Sequence, residues 1–364
     1  MVTLSSAENA LKTLYLGVVS DQLNTGINPL LARIAQTTSD VWGKEIRKLA
    51  PFGINGGIGA GTEEGTLPLP ASNNYAQFVL TLKNLYGTIE ISDKAIRASQ
   101  NNAGAFVNLL NDEMEGLIKA SKFNFGRMLF GDGSGKLAKV TSQSGNAIAL
   151  DNVKNVIEGM VVDFVSNGVV VSSASARRIV AIDRASKTIT VDGATMSAST
   201  LVANDIVTVQ GSYNKELTGL ESLFGSSNTL YGLTRATNKW LAPHAVTSSS
   251  IDDVTIQKAI DTLDEVAGSV VDFIVCSSGV KRAYQSYLST NRSNIDIMNL
   301  QGGYKAISYN GIPIVSDRFA PTGTMYILNT SDFKLHQLCD WRWLEGDDGR
   351  VIRQVANKPV YTAT

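Results

Sequence analysis

The sequence predicts an α+β chain with an N-terminal arm, an extended two-strand β loop, one long helix and a later α/β region. An all-β module is inserted between the helix and the α/β region. Three observations carry this reading. Lys44–Ser92 holds two β-favouring arms around a tip with glycines at 53, 56, 57, 59, 61 and 65. Ala103–Leu129 repeats apolar residues at helical spacing without a break. Val153–Tyr213 is a run of short β-branched segments separated by Gly, Asn and Asp turns.

At 364 residues the chain is long enough for more than one core, since single cores stop growing at roughly 250–300 residues. Hydrophobic residues make up 43% and charged residues 18%, which excludes wholesale disorder. A net charge of −1 argues against a dedicated nucleic-acid binder, which normally carries a basic excess or a basic face. No run approaches the roughly 18 apolar residues that a membrane span needs, so no membrane partner is expected. The start MVTLSSAENALKTLYLG lacks a charged leader region and a small-residue cleavage site. A cytoplasmic origin is expected.

Ser5–Arg33 carries a helical pattern broken near Asn24–Pro29, the signature of an arm punctuated by Gly26 and Pro29. The outgoing arm of the loop is KEIRKLAPF (Lys44–Phe52) and the return arm is Tyr75–Ser92, with Phe78, Leu80, Leu82, Ile89 and Ile91 in alternation. An excursion of this length has little of its own domain to cover it, so its apolar residues call for a surface elsewhere. The long helix is capped by oxygens in Ser99–Asn102 and is expected to stop at Gly131. Its stripe includes Phe106, Leu110, Met114, Ile118, Phe125 and Leu129, with Asp112, Glu113, Glu115, Lys119 and Lys122 opposite.

From Ser250 the pattern is α/β. Ser250 caps IDDVTIQKAIDTLDEVAG, with Asp252 and Asp253 in the first turn and Gly268 at the stop. The strand VVDFIVC follows, then a helix capped by Ser277 and Ser278, then strands GIPIVSD, TMYILN and FKLHQL. The tail from Trp341 reads as a hairpin turning at Gly346–Gly349.

Catalytic, cofactor-binding and metal-ligating residues are not expected. Gly131–Lys136 (GDGSGK) is one residue short of a phosphate loop, lacks the Ser or Thr after Lys136, and follows a helix where a strand is required. The tip glycines do not complete a dinucleotide fingerprint, which fails at Thr62. His336 and Cys339 have no second ligand pair, and Cys276, ending an apolar run, reads as a buried small hydrophobe. No GxSxG elbow accompanies either histidine. The charged residues Lys44, Arg47 and Lys48, placed on one side of the excursion, and Glu63 and Glu64 at its tip form either a solvated face, the usual fate of surface charges, or candidate intersubunit contacts that fix register. Gly57 and Gly59 join them as the glycines of the interlocking tip.

The order of these elements resembles the major capsid protein of tailed bacteriophages, the Hong Kong 97-type fold. The resemblance rests on GGIGAGTEEGTLPLP, on LKNLYGTIEISDKAIRAS leading into a spine helix, and on DFIVCSSGVKRAYQSYL and GIPIVSDRFAPTGTMYILN. It covers most of the chain except Val153–Tyr213. It implies an N-terminal arm (1–41), an extended loop with return strand (42–92), and a peripheral domain with the spine helix (93–152). An inserted β-barrel-like module (153–213), an α/β axial domain (214–345) and a C-terminal peripheral segment (346–364) complete the division. It further implies a structural, non-enzymatic protein that self-assembles as hexamers and pentamers into an icosahedral head around double-stranded DNA. Its partners would be copies of itself, a separate scaffolding protein, a portal and non-specifically the packaged DNA, with a decoration protein left open. Such a chain is made in the bacterial host cytoplasm and ends in the virion. An encapsulin-like nanocompartment shell, or a carbohydrate- or surface-binding protein using the β module, are the alternatives.

Overall fold

The computed structural model describes residues 29–39, 41, 43–93, 103–291, 297–299, 305–339, 341–346, 348–355, 358 and 360–364. Most of the N-terminal arm and the expected cap at Ser99–Asn102 lie outside them, as do the side chains of 103–111.

Strand β1 (Ala35–Thr37) is the first described element. The excursion follows as β2 (Glu45–Phe52) and β3 (Asn74–Thr81), antiparallel and in register from Glu45–Thr81 to Phe52–Asn74. A period of two separates its faces. Ile46, Lys48, Ala50 and Phe52 point one way with Phe78 and Leu80 across the ladder, and are buried or half-buried. Glu45, Arg47, Leu49 and Pro51 point the other way and are exposed. The same alternation corrects one expectation: Arg47 and Lys48, being adjacent in a strand, face opposite sides of the hairpin.

The return arm is two strands. β3 ends at Thr81, and β4 (Ile89–Ser92) joins a different sheet. Ile89 and Ile91 are 3% and 5% exposed, so β4 has one buried face and needs a partner for its backbone.

The helix Ala103–Met128 comes next, 26 residues or about 39 Å at 1.5 Å per residue. Met114, Ile118, Phe125 and Met128 are buried, while Asp112, Glu113, Glu115 and Lys119 are exposed. The Gly131 amide bonds to Met128 O at 3.1 Å. The helix thus ends at Met128, ahead of the expected stop at Gly131, and left-handed conformations occur two and four residues beyond Gly131, at Gly133 (φ 86°) and Gly135 (φ 81°).

Strands β5 (Lys136–Ser144), β6 (Ala147–Leu150), β7 (Val161–Ser166), β8 (Val169–Val170), β9 (Arg177–Asp183), β10 (Thr188–Val191) and β11 (Ile206–Val209) form one sheet. Its order is β11-β5-β6-β10-β9-β7-β8, and β11 also pairs with β7. The sheet therefore closes into a six-stranded barrel with β8 hanging from β7. Ile148, Val162, Phe164, Ile189 and Val207 are fully buried inside it. The barrel begins at Lys136, ahead of the boundary at 153 expected from sequence, because β5 and β6 supply two of its staves.

After a short helix (Leu220–Phe224) and the hairpin β12 (Thr229–Leu230) and β13 (Leu233–Thr234), the chain enters the α/β region. Asp252, not Ser250, is the N-cap of helix Asp253–Ala267: its carboxylate accepts from Thr255 N at 2.7 Å. That helix ends at Gly268 in the left-handed conformation, φ 57°, the stop expected from sequence. Strand β14 (Phe273–Cys276), helix Ser278–Asn291, and strands β15 (Ile297–Asn299), β16 (Lys305–Tyr309), β17 (Ile312–Ser316) and β18 (Met325–Leu328) follow. The sheet order is β15-β16-β17-β14-β18, with β14 and β17 parallel and the other pairings antiparallel. Ser277 Oγ accepts from the Gly323 amide at 3.2 Å, so that hydroxyl ties a loop to the helix start. One face of the sheet packs on Tyr284 and Ile256, and the other on Phe123, Phe125 and Phe130 at the end of the long helix.

The remaining strands close the molecule across long sequence distances. β19 (Lys334–His336) pairs in parallel with β1. β20 (Arg353–Gln354) and β21 (Val360–Ala363) form a three-stranded sheet with β4.

Candidate functional site

The inner face of the β2–β3 ladder is held by aromatic contacts along its middle and its tip-side end. Phe52 stacks on Trp240 with centroids 5.0 Å apart and planes 7° from parallel. Phe78 meets Tyr231 edge-on at 5.8 Å, and Val79 N donates to Tyr231 O at 2.9 Å. Burial pushes the Tyr231 phenol above its ordinary pKa. The inner face of the hairpin therefore has cover within its own chain, contrary to the expectation that the excursion has little to pack against.

The tip has none. Ile54, Ile58, Leu67 and Leu69 are 87%, 90%, 88% and 85% exposed. Leu49 and Tyr75, on the outer face of the hairpin, are also exposed. Isolated exposed apolar residues are ordinary, but a run of them on one projecting segment marks an interaction surface.

The two sides of the tip run close together. A Cβ on Gly57 would lie 3.1 Å from Asn55 Oδ1 and 3.3 Å from Ala71 N, and one on Gly59 would lie 3.2 Å from Pro68 Cγ. Glycine at both positions lets the sides approach without a side chain between them. The apex is a turn in which Gly65 N bonds to Thr62 O at 3.0 Å, with Glu63 and Glu64 exposed inside it.

The charged candidates do not form one cluster. Glu63 and Glu64 sit at the apex, and Lys44, Arg47 and Lys48 at the base. Arg47 Nη2 pairs with Glu45 Oε2 at 3.2 Å, two residues away on the same face. Such exposed pairs contribute little to stability. Lys48 is half-buried on the inner face, and Lys44 is exposed just before β2.

A feature that the sequence reading missed lies beside the hairpin base. Residues 82–87, the long helix and residues 334–344 enclose an open cleft of about 700 Å³. Leu82, Leu85, Met114, Leu117, Phe125 and Trp341 are among its lining. Trp341 meets the Phe125 ring edge-on at 6.4 Å, and Leu338 and Leu344 at its rim are 59% and 54% exposed. The alternation Trp341–Arg342–Trp343 was a visible signal, but only the fold brings it against the helix.

The chemistry-bearing residues considered from sequence are elsewhere and apart. Cys276 is fully buried in β14, and burial pushes its thiol up to about 11. Cys339 is exposed. The Gly131–Lys136 segment is a turn in which Asp132 Oδ1 accepts from Ser134 N at 2.9 Å, and Ser134 O accepts from Asn214 N. Among the described residues, no group of three or more His, Cys, Asp or Glu is placed to hold a metal ion. No described helix is long and apolar enough to cross a membrane.

No family model matches this chain, and no curated protein matches it. Among solved structures, the chain is similar to one described as "Cyanophage A-1(L) capsid asymmetric unit". The two are 14% identical, the match covers 90% of this chain and 73% of that chain, and the TM-score is 0.45. A likeness at that level is too slight to establish the fold or the activity.

Proposed function

We propose that this chain is a structural subunit that assembles with copies of itself into a closed shell, as the major capsid protein of a tailed bacteriophage does. The observation that carries the reading is the projecting hairpin tip, with four apolar side chains at least 85% exposed. The same chain carries an apolar cleft at the base of that hairpin. A protruding apolar element and a recessed apolar surface on one subunit fit a heterologous, head-to-tail contact. Such contacts close into rings when the rotation between copies permits, and rings combine into shells.

Within this reading the tip of one subunit lies over the helix-bearing part of the next. Leu67, Leu69, Ile54 and Ile58 supply the apolar contact, and Glu63 and Glu64 set register more than affinity. Each contact is modest alone, and multivalency makes the closed particle stable. The shell would enclose double-stranded DNA without reading its sequence, in keeping with a net charge of −1. Hexamers and pentamers, a separate scaffolding protein, a portal and residence in the virion belong to the same proposal.

The test is negative-stain electron microscopy with light scattering on the chain expressed alone and with candidate scaffolding partners. Rings, tubes or closed shells are the expected outcome. A monomer under every condition would overturn the proposal.

A further inference from the structure

We propose that Asn55–Gly56, at the root of the hairpin tip, is a site of spontaneous backbone modification in the free subunit, through a cyclic imide. The inference does not rest on the shell reading, because it concerns the chemistry of the tip before any partner covers it.

Three Asn-Gly pairs occur in the chain, at 55–56, 167–168 and 310–311. All share the feature that makes this dipeptide reactive: glycine leaves the following amide nitrogen uncrowded. Reaction requires the Gly nitrogen to reach the Asn Cγ, which requires rotation about the Asn backbone and side chain. The structure separates the three pairs on that requirement.

Asn167 and Gly168 have φ of 48° and 83°, and they join β7 to β8 with Ser166 paired to Val169. Asn310 and Gly311 have φ of 48° and 80°, and they join β16 to β17 with Tyr309 paired to Ile312. Both are two-residue hairpin turns with positive φ at both central positions, the geometry that matches strand twist. A ladder on each side holds these dihedrals. Asn310 is further restrained because its Nδ2, the nitrogen that must leave, donates to Gln257 Oε1 at 3.2 Å.

Asn55–Gly56 has no such frame. β2 ends at Phe52 and β3 begins at Asn74, and both residues are exposed between them. Asn55 Oδ1 accepts from Gly57 N at 2.9 Å, which folds the side chain back along its own backbone past Gly56. That hydrogen bond also draws electron density from Cγ, the atom to be attacked.

The chemistry balances with water as the only co-reactant. The Gly56 nitrogen forms a bond to Asn55 Cγ, the Cγ–Nδ2 bond breaks, and ammonia leaves with the proton from Gly56 N. Water then opens the five-membered imide at either carbonyl, giving aspartate or isoaspartate at 55. Either product adds a carboxylate to a tip that already carries Glu63 and Glu64. Isoaspartate also inserts a methylene into the backbone, where a Cβ at Gly57 would already sit 3.3 Å from Ala71 N.

The experiment is peptide mapping by mass spectrometry of the purified full chain, incubated at neutral and mildly alkaline pH. Conversion at Asn55 is expected to be at least roughly tenfold faster than at Asn167 and Asn310, a barrier difference of about 1.4 kcal/mol. In denaturant the three rates should converge. Gly56→Ala is the second variant: its Cβ would meet only Ala71 Cβ, at an ordinary 3.5 Å, so the tip can keep its form. It should suppress conversion at 55 alone. Equal rates in the folded chain, an Asn55 lead that persists unfolded, or undiminished conversion in Gly56→Ala would each overturn the proposal.

Discussion

Arg127 and Glu216 form a buried, two-pronged ion pair. Arg127 Nη2 lies 2.6 Å from Glu216 Oε1 and Nη1 lies 2.8 Å from Oε2, with the two side chains 5% and 4% exposed. Arg127 is in the last turn of the long helix, just before the barrel begins, and Glu216 is on the strand of chain that leaves it. Leu220 N donates to Leu129 O at 2.9 Å alongside. The pair therefore clamps the entrance and exit of the barrel. Losing one partner strands a buried charge, so Glu216→Leu alone should cost about 3–5 kcal/mol. Arg127→Met with Glu216→Leu should recover most of that loss, because two apolar groups replace the pair without an orphan charge. Urea unfolding of the single and double variants reads the difference.

The exposed tip should matter for assembly and hardly for folding. Ile58→Ser with Leu67→Ser removes side chains that are 90% and 88% exposed, so stability should change by less than about 0.5 kcal/mol each. Particle yield by light scattering should fall sharply. A large drop in melting temperature would show that the tip is packed against its own chain in solution.

Gly57→Val with Gly59→Val addresses the shape of the tip. The added side chains would enter the narrow space against Ala71 and Pro68 and push the two sides apart. A folded subunit by circular dichroism with few or no assembled particles is the expected outcome. Normal particles would rule out the tip as the interlocking element.

Asp163 gives the barrel a pH dependence. Burial alone would raise its pKa, but bonds from Gly211 N, Ala176 N and Ser175 Oγ, at 2.7–2.8 Å, hold it below the ordinary carboxylate value. A depressed folded pKa stabilises above the unfolded pKa, and that stability is lost as pH falls through the ordinary carboxylate range towards the folded value. Asp163→Ala should cost about 3 kcal/mol at neutral pH by leaving buried donors unpaired. Its stability should also fall less steeply with acid than that of the parent chain.

The two cysteines should separate by reactivity. Alkylation needs the thiolate, and Cys276 is buried with its thiol pushed up to about 11. Cys339 is exposed. Under native conditions a thiol reagent should label Cys339 alone, with Cys276 following only on unfolding; early labelling of Cys276 would show that the β14 sheet opens locally.

Much of the fold was legible because it is written in local periodicity. The helix stripe through Met114, Ile118 and Phe125 and the alternation in β2 state which face is apolar. The turn glycine at Gly268 states where a helix ends. Small misreadings came from competing local signals: Ser250 and Asp252 are both capping residues, and only Asp252 reaches the Thr255 amide. Lys44, Arg47 and Lys48 looked like one basic face because they are close in sequence, whereas strand geometry sends Arg47 and Lys48 to opposite sides.

The two-strand excursion with its glycine tip, the long helix and a β-rich insert all follow from residue pattern alone. That pattern also marked the excursion as a segment with little of its own to cover its apolar residues, and the structure showed the uncovered ones to be Ile54, Ile58, Leu67 and Leu69 at the tip. The choice of partners among distant segments emerges with the folded chain: β4 with β21, β1 with β19, β11 with β7 to close the barrel, and Arg127 with Glu216. Folding also decided that the inner face of the hairpin rests on Trp240 and that a cleft opens beside Trp341. A pattern of side chains specifies a face to be buried but not what buries it. Backbone pairing uses groups common to nearly every residue, so the choice of partner follows from which closures bury the most surface at once.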